Sequence, residues 1–377
     1  MHALIPFSPG AFQEQLESPT HSIFKVSDKD KDVFLSTLTS KNIVVADTIQ
    51  EQLSDWAETE LPGSTDAAEL EPLIEKEVHA SSNSIFSYGN WVLYPWRNAI
   101  AHVLPKERYW SVRSNRNRDK ITIDEQSILR NRSIGVIGMS VGHACALAIA
   151  HEGLCGELRI ADFDTLNLSN LNRLRSSVLH IGKNKCAIAR QDIAELDPYI
   201  DVVPFDDGIS ENNINEFCIG DKPLDLILEE CDDFFIKFRV RELAREYRIP
   251  VVMETNDRGM IDVERFDLEP ERELFHGRTH GMTSEDVRDL TPERKILLFH
   301  QLVGQMESLS PRLRQSLPRI RETLMSYPQL ASDVQLGGAT TAHLARSVLL
   351  NTFSSSGRFY VDLNHLFREQ EQDPIVY

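Results

Sequence analysis

The sequence lacks paired cysteines, long apolar runs and an excess of basic residues, and each shortage removes a class of protein. The five cysteines are scattered and no C-x-x-C pair occurs, so neither a structural zinc site nor a disulfide framework is expected. No apolar run approaches the length of about 18 residues that a membrane-crossing helix needs. The formal net charge is −18. Such a surface repels nucleic-acid phosphate and anionic lipid, so we expect neither nucleic acid nor a membrane as a partner.

The compartment and the size of the protein follow from similar observations. Residues 1–24 do not show the basic start and apolar core of a secretory signal. With its unpaired cysteines, the chain is therefore expected in a reducing cytoplasm. Its 377 residues, 41% of them apolar, suffice for two or three units with a sizeable core.

Residues 1–110 have weak, mixed patterning and predict a small accessory domain. Its apolar spacing predicts helices at Ile49–Thr59 and Ala67–Ala80, separated by a break at Leu61-Pro62-Gly63. The basic segment Lys106–Lys120 then follows. It predicts an arm or loop that reaches an anion, or else an ordinary basic linker.

From Ser133 onwards, short apolar strands alternate with helices, which specifies a parallel sheet with covered faces. The predicted strands are Ser133–Ile137, Leu158–Ala161, Asp201–Pro204, Leu224–Leu228 and Pro250–Met253, and the predicted helices are Gly142–Glu152, Lys183–Leu196 and Phe234–Tyr247. The remainder predicts an antiparallel extension, a polar helical insert, a helix opened by Gly337-Gly338 and a last strand, at Ile261–Phe266, 271–330, Ala339–Leu350 and Arg358–Leu363. The fold class for 111–377 is therefore α/β: a Rossmann-like, mixed but mostly parallel sheet with helices on both faces.

The turn after the first of these strands carries Gly138, Ser140 and Gly142. Glycines let the backbone approach a phosphate, and the following helix start favours negative charge. Asp162 lies twenty residues after Gly142 at the end of the next strand, where an acid accepts hydrogen bonds from ribose hydroxyls. The pattern predicts a nucleotide site. Two other interpretations use the same residues: a hydrolase nucleophile elbow at Ser140, and a nicotinamide-dependent oxidoreductase.

Four further motifs follow in order: Asp162-Phe163-Asp164, then Ser169–Arg173, then Gly182–Lys185, and finally Glu229–Asp233 after an apolar strand. With the glycine turn, this series resembles the adenylation domain of the ubiquitin-activating-enzyme-like superfamily, the ThiF/MoeB group. The resemblance covers about residues 113–266, and a weaker resemblance is present in the helix at Gly337-Gly338. The segment Met253–Glu264 resembles a bacterial subgroup of that superfamily.

The resemblance implies ATP and Mg²⁺ as cofactors and a homodimer in which an arginine crosses the interface. The implied roles are ribose binding by Asp162, with Asp164 beside it, triphosphate contacts from Asn170 and Arg173, neutralisation of the phosphates by Lys185, magnesium binding by Asp232, and the crossing arginine at Arg116, for which Arg113 and Arg118 are alternatives. Asp232 is also a candidate N-cap for the helix that follows. The implied activity is adenylation of a carboxylate on a protein or peptide. On fold analogy with superfamily members that modify ribosomal peptides, we interpret the accessory domain 1–110 as a substrate-binding clamp for a peptide.

Two departures from the superfamily pattern limit this expectation. The glycine turn is one residue short, with Ser140 inside it, and the zinc-type cysteine pairs are absent. The acyl acceptor is therefore left open. Cys186 follows Lys185 near a helix start and is either a thiol of lowered pKa or a buried core residue. A nicotinamide oxidoreductase and a non-catalytic nucleotide-binding scaffold remain the alternative functions; Arg173, Lys185 and Asp232 disfavour the first.

Overall fold

The computed structural model describes residues 3–64, 66–303 and 308–367. Two compact units are present, Met1–Gln126 with Gln191–Asp201, and Ser127–Arg190 with Val202–Tyr377. The assignment of 1–110 to an accessory domain and 111–377 to an adenylation domain stays a prediction about function. None of the helices in the described ranges is long and apolar enough to cross a membrane.

The first unit is built on a five-stranded sheet. Its strands, in the order β1-β2-β4-β5-β3, are β1 (Ile5–Pro6), β2 (Ser22–Lys25), β3 (Val44–Asp47), β4 (Asn90–Tyr94) and β5 (Ala99–Val103). Its helices are α1 (Pro9–Gln15), α2 (Lys31–Ser40), α3 (Ile49–Glu60), α4 (Ala67–Ser81) and α5 (Lys106–Arg113), and α6 (Ile123–Leu129) begins in it. The two predicted helices, α3 and α4, are confirmed.

The sheet of the first unit was not predicted. Its strands are two to five residues long, and β2, β3 and β4 do not alternate between buried and exposed positions. All of β4 is buried, whereas all of β3 is exposed. Alternation of apolar and polar residues is the main sequence signal for a half-buried strand. A fully buried strand such as β4 and a fully exposed strand such as β3 both lack that signal.

The basic segment Lys106–Lys120 is not an arm or loop over its first half, and that prediction is wrong there. Residues Lys106–Arg113 form α5, held by aromatic side chains. Tyr109 Oη donates to the Leu196 carbonyl at 2.7 Å, and Trp110 Nε1 donates to Asp197 at 2.8 Å. Arg113 pairs with the same buried Asp197 at 3.0 Å. The aromatic side chains and this ion pair together hold α5 in place.

The second unit contains a seven-stranded sheet and confirms the predicted α/β, Rossmann-like fold class. Its strands, in the order β12-β11-β10-β9-β6-β7-β8, are β6 (Ser133–Ile137), β7 (Glu157–Ala161), β8 (Asp201–Phe205), β9 (Leu226–Glu229), β10 (Val251–Thr255), β11 (Met260–Glu264) and β12 (Gly357–Tyr360). Strand β6 pairs in parallel with β7 and β9, and β9 pairs in parallel with β10. The pairs β10–β11 and β11–β12 are antiparallel, as predicted for the extension.

The remaining helices are α7 (Gly142–Glu152), α8 (Lys185–Leu196), α9 (Ile214–Cys218), α10 (Phe234–Glu246), α11 (Pro292–Val303), α12 (Pro311–Ser316), α13 (Ala331–Leu349) and α14 (Leu363–Leu366). Helices α11 and α12 lie in the predicted insert. Helix α8 begins two residues later than predicted, because the Asn184 side chain accepts the N–H of Cys186 at 2.8 Å and so starts the helix there.

Gly337 and Gly338 do not open a helix, and that prediction is corrected. They lie within α13, which begins at Ala331. A Cβ on Gly337 would lie 2.5 Å from the Glu254 carboxylate, and one on Gly338 would lie 2.9 Å from the Ala144 backbone. Here glycine permits close packing rather than a turn.

Candidate functional site

The glycine turn is fixed by its contacts on both sides. Gly138 follows the fully buried β6 and has φ of +91°, a conformation that favours glycine. A Cβ there would lie 2.7 Å from the Glu230 carbonyl oxygen. Gly142 begins α7, and a Cβ on it would lie 2.8 Å from Val136 Cγ1. Both glycines are therefore needed for the turn to pass between β9 and the helix.

Asp162 connects the end of β7 to this turn. Its Oδ2 accepts the Met139 N–H at 2.6 Å, and its Oδ1 accepts the Asp164 N–H at 2.7 Å. Burial raises the pKa of Asp162, although the nearby Lys185 opposes the shift. The carboxylate is therefore positioned beside the glycine turn by backbone donors, at the strand end where the sequence predicts a ribose contact.

Lys185 is buried and lies against the same acids. Its Nζ donates to Asp164 Oδ2 at 2.7 Å and lies 3.8 Å from Asp162 Oδ2. A lysine side chain has three N–H donors, so Lys185 can contact these carboxylates and share its remaining donors with an anion. The D-x-D motif and Lys185 thus form one cluster.

Arg173 approaches the turn from another loop. Its Nη2 lies 3.4 Å from Ser140 Oγ, and its Nη1 donates to Asn172 Oδ1 at 2.9 Å. Asn170 Oδ1 accepts the Asn167 N–H at 2.9 Å, which shapes the loop that presents Arg173. Since the partner described for the Ser140 hydroxyl is a cation, a nucleophile elbow activated by a base is not favoured.

The loop after β9 also touches the turn, through the contact between Glu230 and Gly138. Asp232 is exposed on this loop. The capping role considered for Asp232 belongs instead to Asp233, whose Oδ1 accepts the Ile236 N–H at 2.9 Å. Among the described residues, no group of three or more His, Cys, Asp and Glu side chains is arranged to hold a metal ion. Magnesium binding by Asp232 stays a prediction.

The candidate interface arginines lie in the first unit. Arg116 is exposed in the short turn Asn115–Asn117, and Arg118 is also exposed. Arg113 is committed to its ion pair with Asp197. The crossing of Arg116 into a second subunit stays a prediction, and Arg113 is the least suited of the three.

Sequence reasoning missed how sharply the neighbouring acids Glu229 and Glu230 differ. Glu229 is fully buried, and it accepts from Lys237 Nζ at 3.0 Å and from Arg241 Nη1 at 2.7 Å. The hydrogen bonds described for the Glu230 carboxylate come from one backbone donor. The Glu254 N–H lies 3.1 Å from its Oε1 and 3.2 Å from its Oε2. Only the placement of α10 above the strand end reveals which acid is paired.

Glu254 itself is 4% exposed, and neither of its carboxylate oxygens has a hydrogen-bond partner among the described residues. Burial raises the pKa of Glu254 to about 8, and Asp333 adds to the shift. Burial also raises the pKa of the Cys186 thiol, so the lowered pKa considered for that residue is wrong. Cys186 is a core residue.

Residues 114–289 match the ThiF family. Over 285 residues the chain is 41% identical to the uncharacterized protein MT1398 of Mycobacterium tuberculosis. This match covers 76% of this chain and 39% of MT1398. Over 124 residues it is 32% identical to the probable adenylyltransferase/sulfurtransferase MoeZ of the same species, covering 32% of this chain and 31% of MoeZ. The chain thus spans well under half the length of both relatives.

A solved structure is similar at lower identity. It is the tRNA N6-threonylcarbamoyladenosine dehydratase of E. coli, with 15% sequence identity and a TM-score of 0.45. The similarity covers 64% of this chain and 96% of that one.

Proposed function

Residues 114–289 belong to the ThiF family, within the ubiquitin-activating-enzyme-like superfamily, and from that premise we propose that the chain binds ATP at the glycine turn and adenylates a carboxylate. The observation that carries the proposal is the convergence on one turn of Asp162, Lys185 and Arg173, which come from three separate segments. The relationship to MoeZ, named as a probable adenylyltransferase, supports the same reaction.

The residues at the glycine turn suit a nucleoside triphosphate. Gly138 and Gly142 leave the turn without side chains where it faces the strand end and the helix. Arg173 and Lys185 bring two cations to the turn, and Asp162 offers acceptor oxygens to sugar hydroxyls. In the proposal Asn170, Arg173 and Lys185 contact the phosphates, Asp162 and Asp164 face the ribose, and Asp232 binds Mg²⁺, a hard cation that prefers carboxylate and phosphate oxygens.

The reaction needs little from the protein beyond position and charge. A carboxylate is already a nucleophile at neutral pH, so no general base is required. The barrier lies in bringing an anion onto a polyanion and expelling pyrophosphate. Arg173 and Lys185 lower it by stabilising the charge that develops on the phosphates, and magnesium, when bound, adds to that stabilisation.

The substrate is proposed to be a carboxylate on a peptide or small protein, and the active assembly a homodimer that uses Arg116. A diphosphate cofactor such as a nicotinamide dinucleotide does not need the cluster of Arg173, Lys185 and Asp232, which is why the oxidoreductase alternative is not favoured. A non-catalytic scaffold differs from an enzyme in releasing no pyrophosphate.

The test is ATP–pyrophosphate exchange with candidate carboxylate substrates, and with total tRNA as a comparison substrate. We expect Arg173→Ala and Lys185→Ala each to slow exchange by roughly 10²-fold or more, the scale of a lost preorganised charge contact. Lys295→Ala, which removes an exposed cation on α11, is the matched control and should exchange normally. Near-normal exchange in both site variants would contradict the proposal.

A further inference from the structure

A cavity of about 200 Å³ lies in the second unit, between α7, α13 and the loop 173–175. One of its ends is formed by Ser140 and Arg173, beside the glycine turn, and it extends along α7 as far as His151. Within α7 the lining runs from His143 to His151, which is about 12 Å at a rise of about 1.5 Å per residue. The cavity therefore begins at the proposed phosphate contacts and continues well beyond them.

The wall contributed by α7 is a single helical face. His143, Leu147 and His151 follow one another at four-residue spacing, with Ala144 and Ala148 beside them. The middle of the wall is thus small and apolar, and a histidine lies at either end. Such a wall suits a short chain segment that is apolar in part and charged in part.

The facing loop adds positive charge. Arg173 and Arg175 both line the cavity, while Leu174 between them is buried in a small apolar cluster with Leu166 and Ile188. Leu174 therefore anchors the loop between the two arginines. Arg173 is half-buried, and its partial removal from water strengthens its attraction for an anion.

No acidic residue lines the cavity among the residues that the structure describes. That is unusual in a chain with net charge −18, because acids outnumber bases over the whole sequence. With Arg173 and Arg175 in its lining and no carboxylate, the cavity favours an anionic ligand.

We propose that this cavity binds the carboxylate-bearing segment of the acyl substrate, an acidic peptide segment with small or apolar neighbours. The proposal rests on the function proposed above and deepens it, because it states from which side the carboxylate reaches the nucleotide. Arg173 then faces both ligands, whereas Arg175 and His151 serve the peptide alone.

The test is calorimetric titration of the full chain with two probe peptides, acetyl-Ala-Leu-Glu and its neutral counterpart acetyl-Ala-Leu-Gln-amide. The wild type should prefer the acidic probe. Arg175→Gln should weaken acidic-probe binding by about tenfold or more, the scale of one hydrogen bond to a charged group, and should leave ATP affinity unchanged. Arg294→Gln, an exposed arginine on α11, is the matched control and should bind both ligands as the wild type does.

Three results bear on the cavity. Equal binding of both probes by the wild type, or equal acidic-probe binding by wild type and Arg175→Gln, would overturn the assignment. Loss of ATP affinity in Arg175→Gln to the extent seen in Arg173→Ala would assign the cavity to phosphate instead. His151→Gln gives a second, independent variant should Arg175→Gln fold poorly.

The experiments distinguish a failure of the proposed adenylation from a failure of the proposed peptide site. If acidic-probe binding depends on Arg175 but no carboxylate substrate supports pyrophosphate exchange, the peptide site stands and the adenylation does not.

Discussion

Two neighbouring glutamates at the end of β9 meet opposite environments. Burial alone would raise the pKa of the Glu229 carboxyl, but Lys237 and Arg241 outweigh it and lower the pKa to about 2. Burial raises the pKa of Glu230 well above its usual range, and the nearby Glu254 raises it further. One acid is held as an anion within an ion-pair network, and the other is held toward its neutral form.

The contrast shows how the fold separates structural charge from the charge that meets a ligand. Arg241 is fully buried and bonds both Glu229 at 2.7 Å and Glu264, so the network joins β9, α10 and β11 behind the site. Two residues beyond Glu230, Asp232 is exposed on the loop that follows β9. The same acidic run thus supplies a structural ion pair at Glu229, a carboxyl of raised pKa at Glu230 and a candidate metal ligand at Asp232.

The largest effect is expected when the paired network is broken. Arg241→Met leaves Glu229 and Glu264 buried without their shared cation, so the free energy of unfolding should fall by about 3–5 kcal/mol in chemical denaturation. Arg97→Met removes one partner of an exposed pair with Glu195, and should cost under about 1 kcal/mol. Equal losses in the two variants would mean that burial does not distinguish these pairs.

A smaller effect is expected from the unpaired acid. The folded-state pKa of Glu254, about 8, lies above its ordinary value of 4.5, so its contribution to stability is fully present below about pH 4.5 and is lost as the pH rises through 8. Glu254→Gln cannot ionise and should be more stable than the wild type at pH 9, by on the order of 2 kcal/mol. Denaturation midpoints between pH 5 and pH 9 measure this, and parallel pH profiles would refute it.

Asp233 should matter for stability rather than for metal binding. Asp233→Ala removes the cap of α10 and should lower the free energy of unfolding by about 1 kcal/mol. Thermal or chemical denaturation measures the change. A loss within error would show that the capping hydrogen bond contributes nothing net.

The smallest stability effect is expected at Asp232. Because its side chain is exposed, Asp232→Ala should change the free energy of unfolding by less than about 0.5 kcal/mol. The same variant should weaken ATP binding in the presence of magnesium but not in its absence. If Asp233→Ala rather than Asp232→Ala removes the magnesium dependence, the metal ligand is the neighbouring acid.

Much of the second unit could be predicted from sequence, because its central strands β6 and β9 are almost entirely apolar and the helices α7, α8 and α10 are 11 to 13 residues long. The ordered motifs located Asp162, Arg173 and Lys185 at the turn where the structure brings them together. Pairing could not be predicted in the same way. Nothing in the sequence distinguishes Glu229 from Glu230, since the cations that pair with Glu229 lie one and two turns into α10.

The other misses have equally local causes. The pair Gly337-Gly338 predicts a helix start because glycine favours helix ends. The pair lies inside α13 instead, where it allows close approach to Glu254 and Ala144. Arg175 lacked a motif of its own, and only the cavity shows that it faces the same space as Arg173.

The most direct test of acyl-adenylate formation is mass spectrometry of the peptide or small protein encoded beside this chain, after incubation with enzyme, ATP and magnesium. We predict a species heavier by one adenylate, formed with equimolar pyrophosphate and nearly absent with Arg173→Ala. Unmodified substrate and no pyrophosphate, from an enzyme that binds both ligands, would contradict the account.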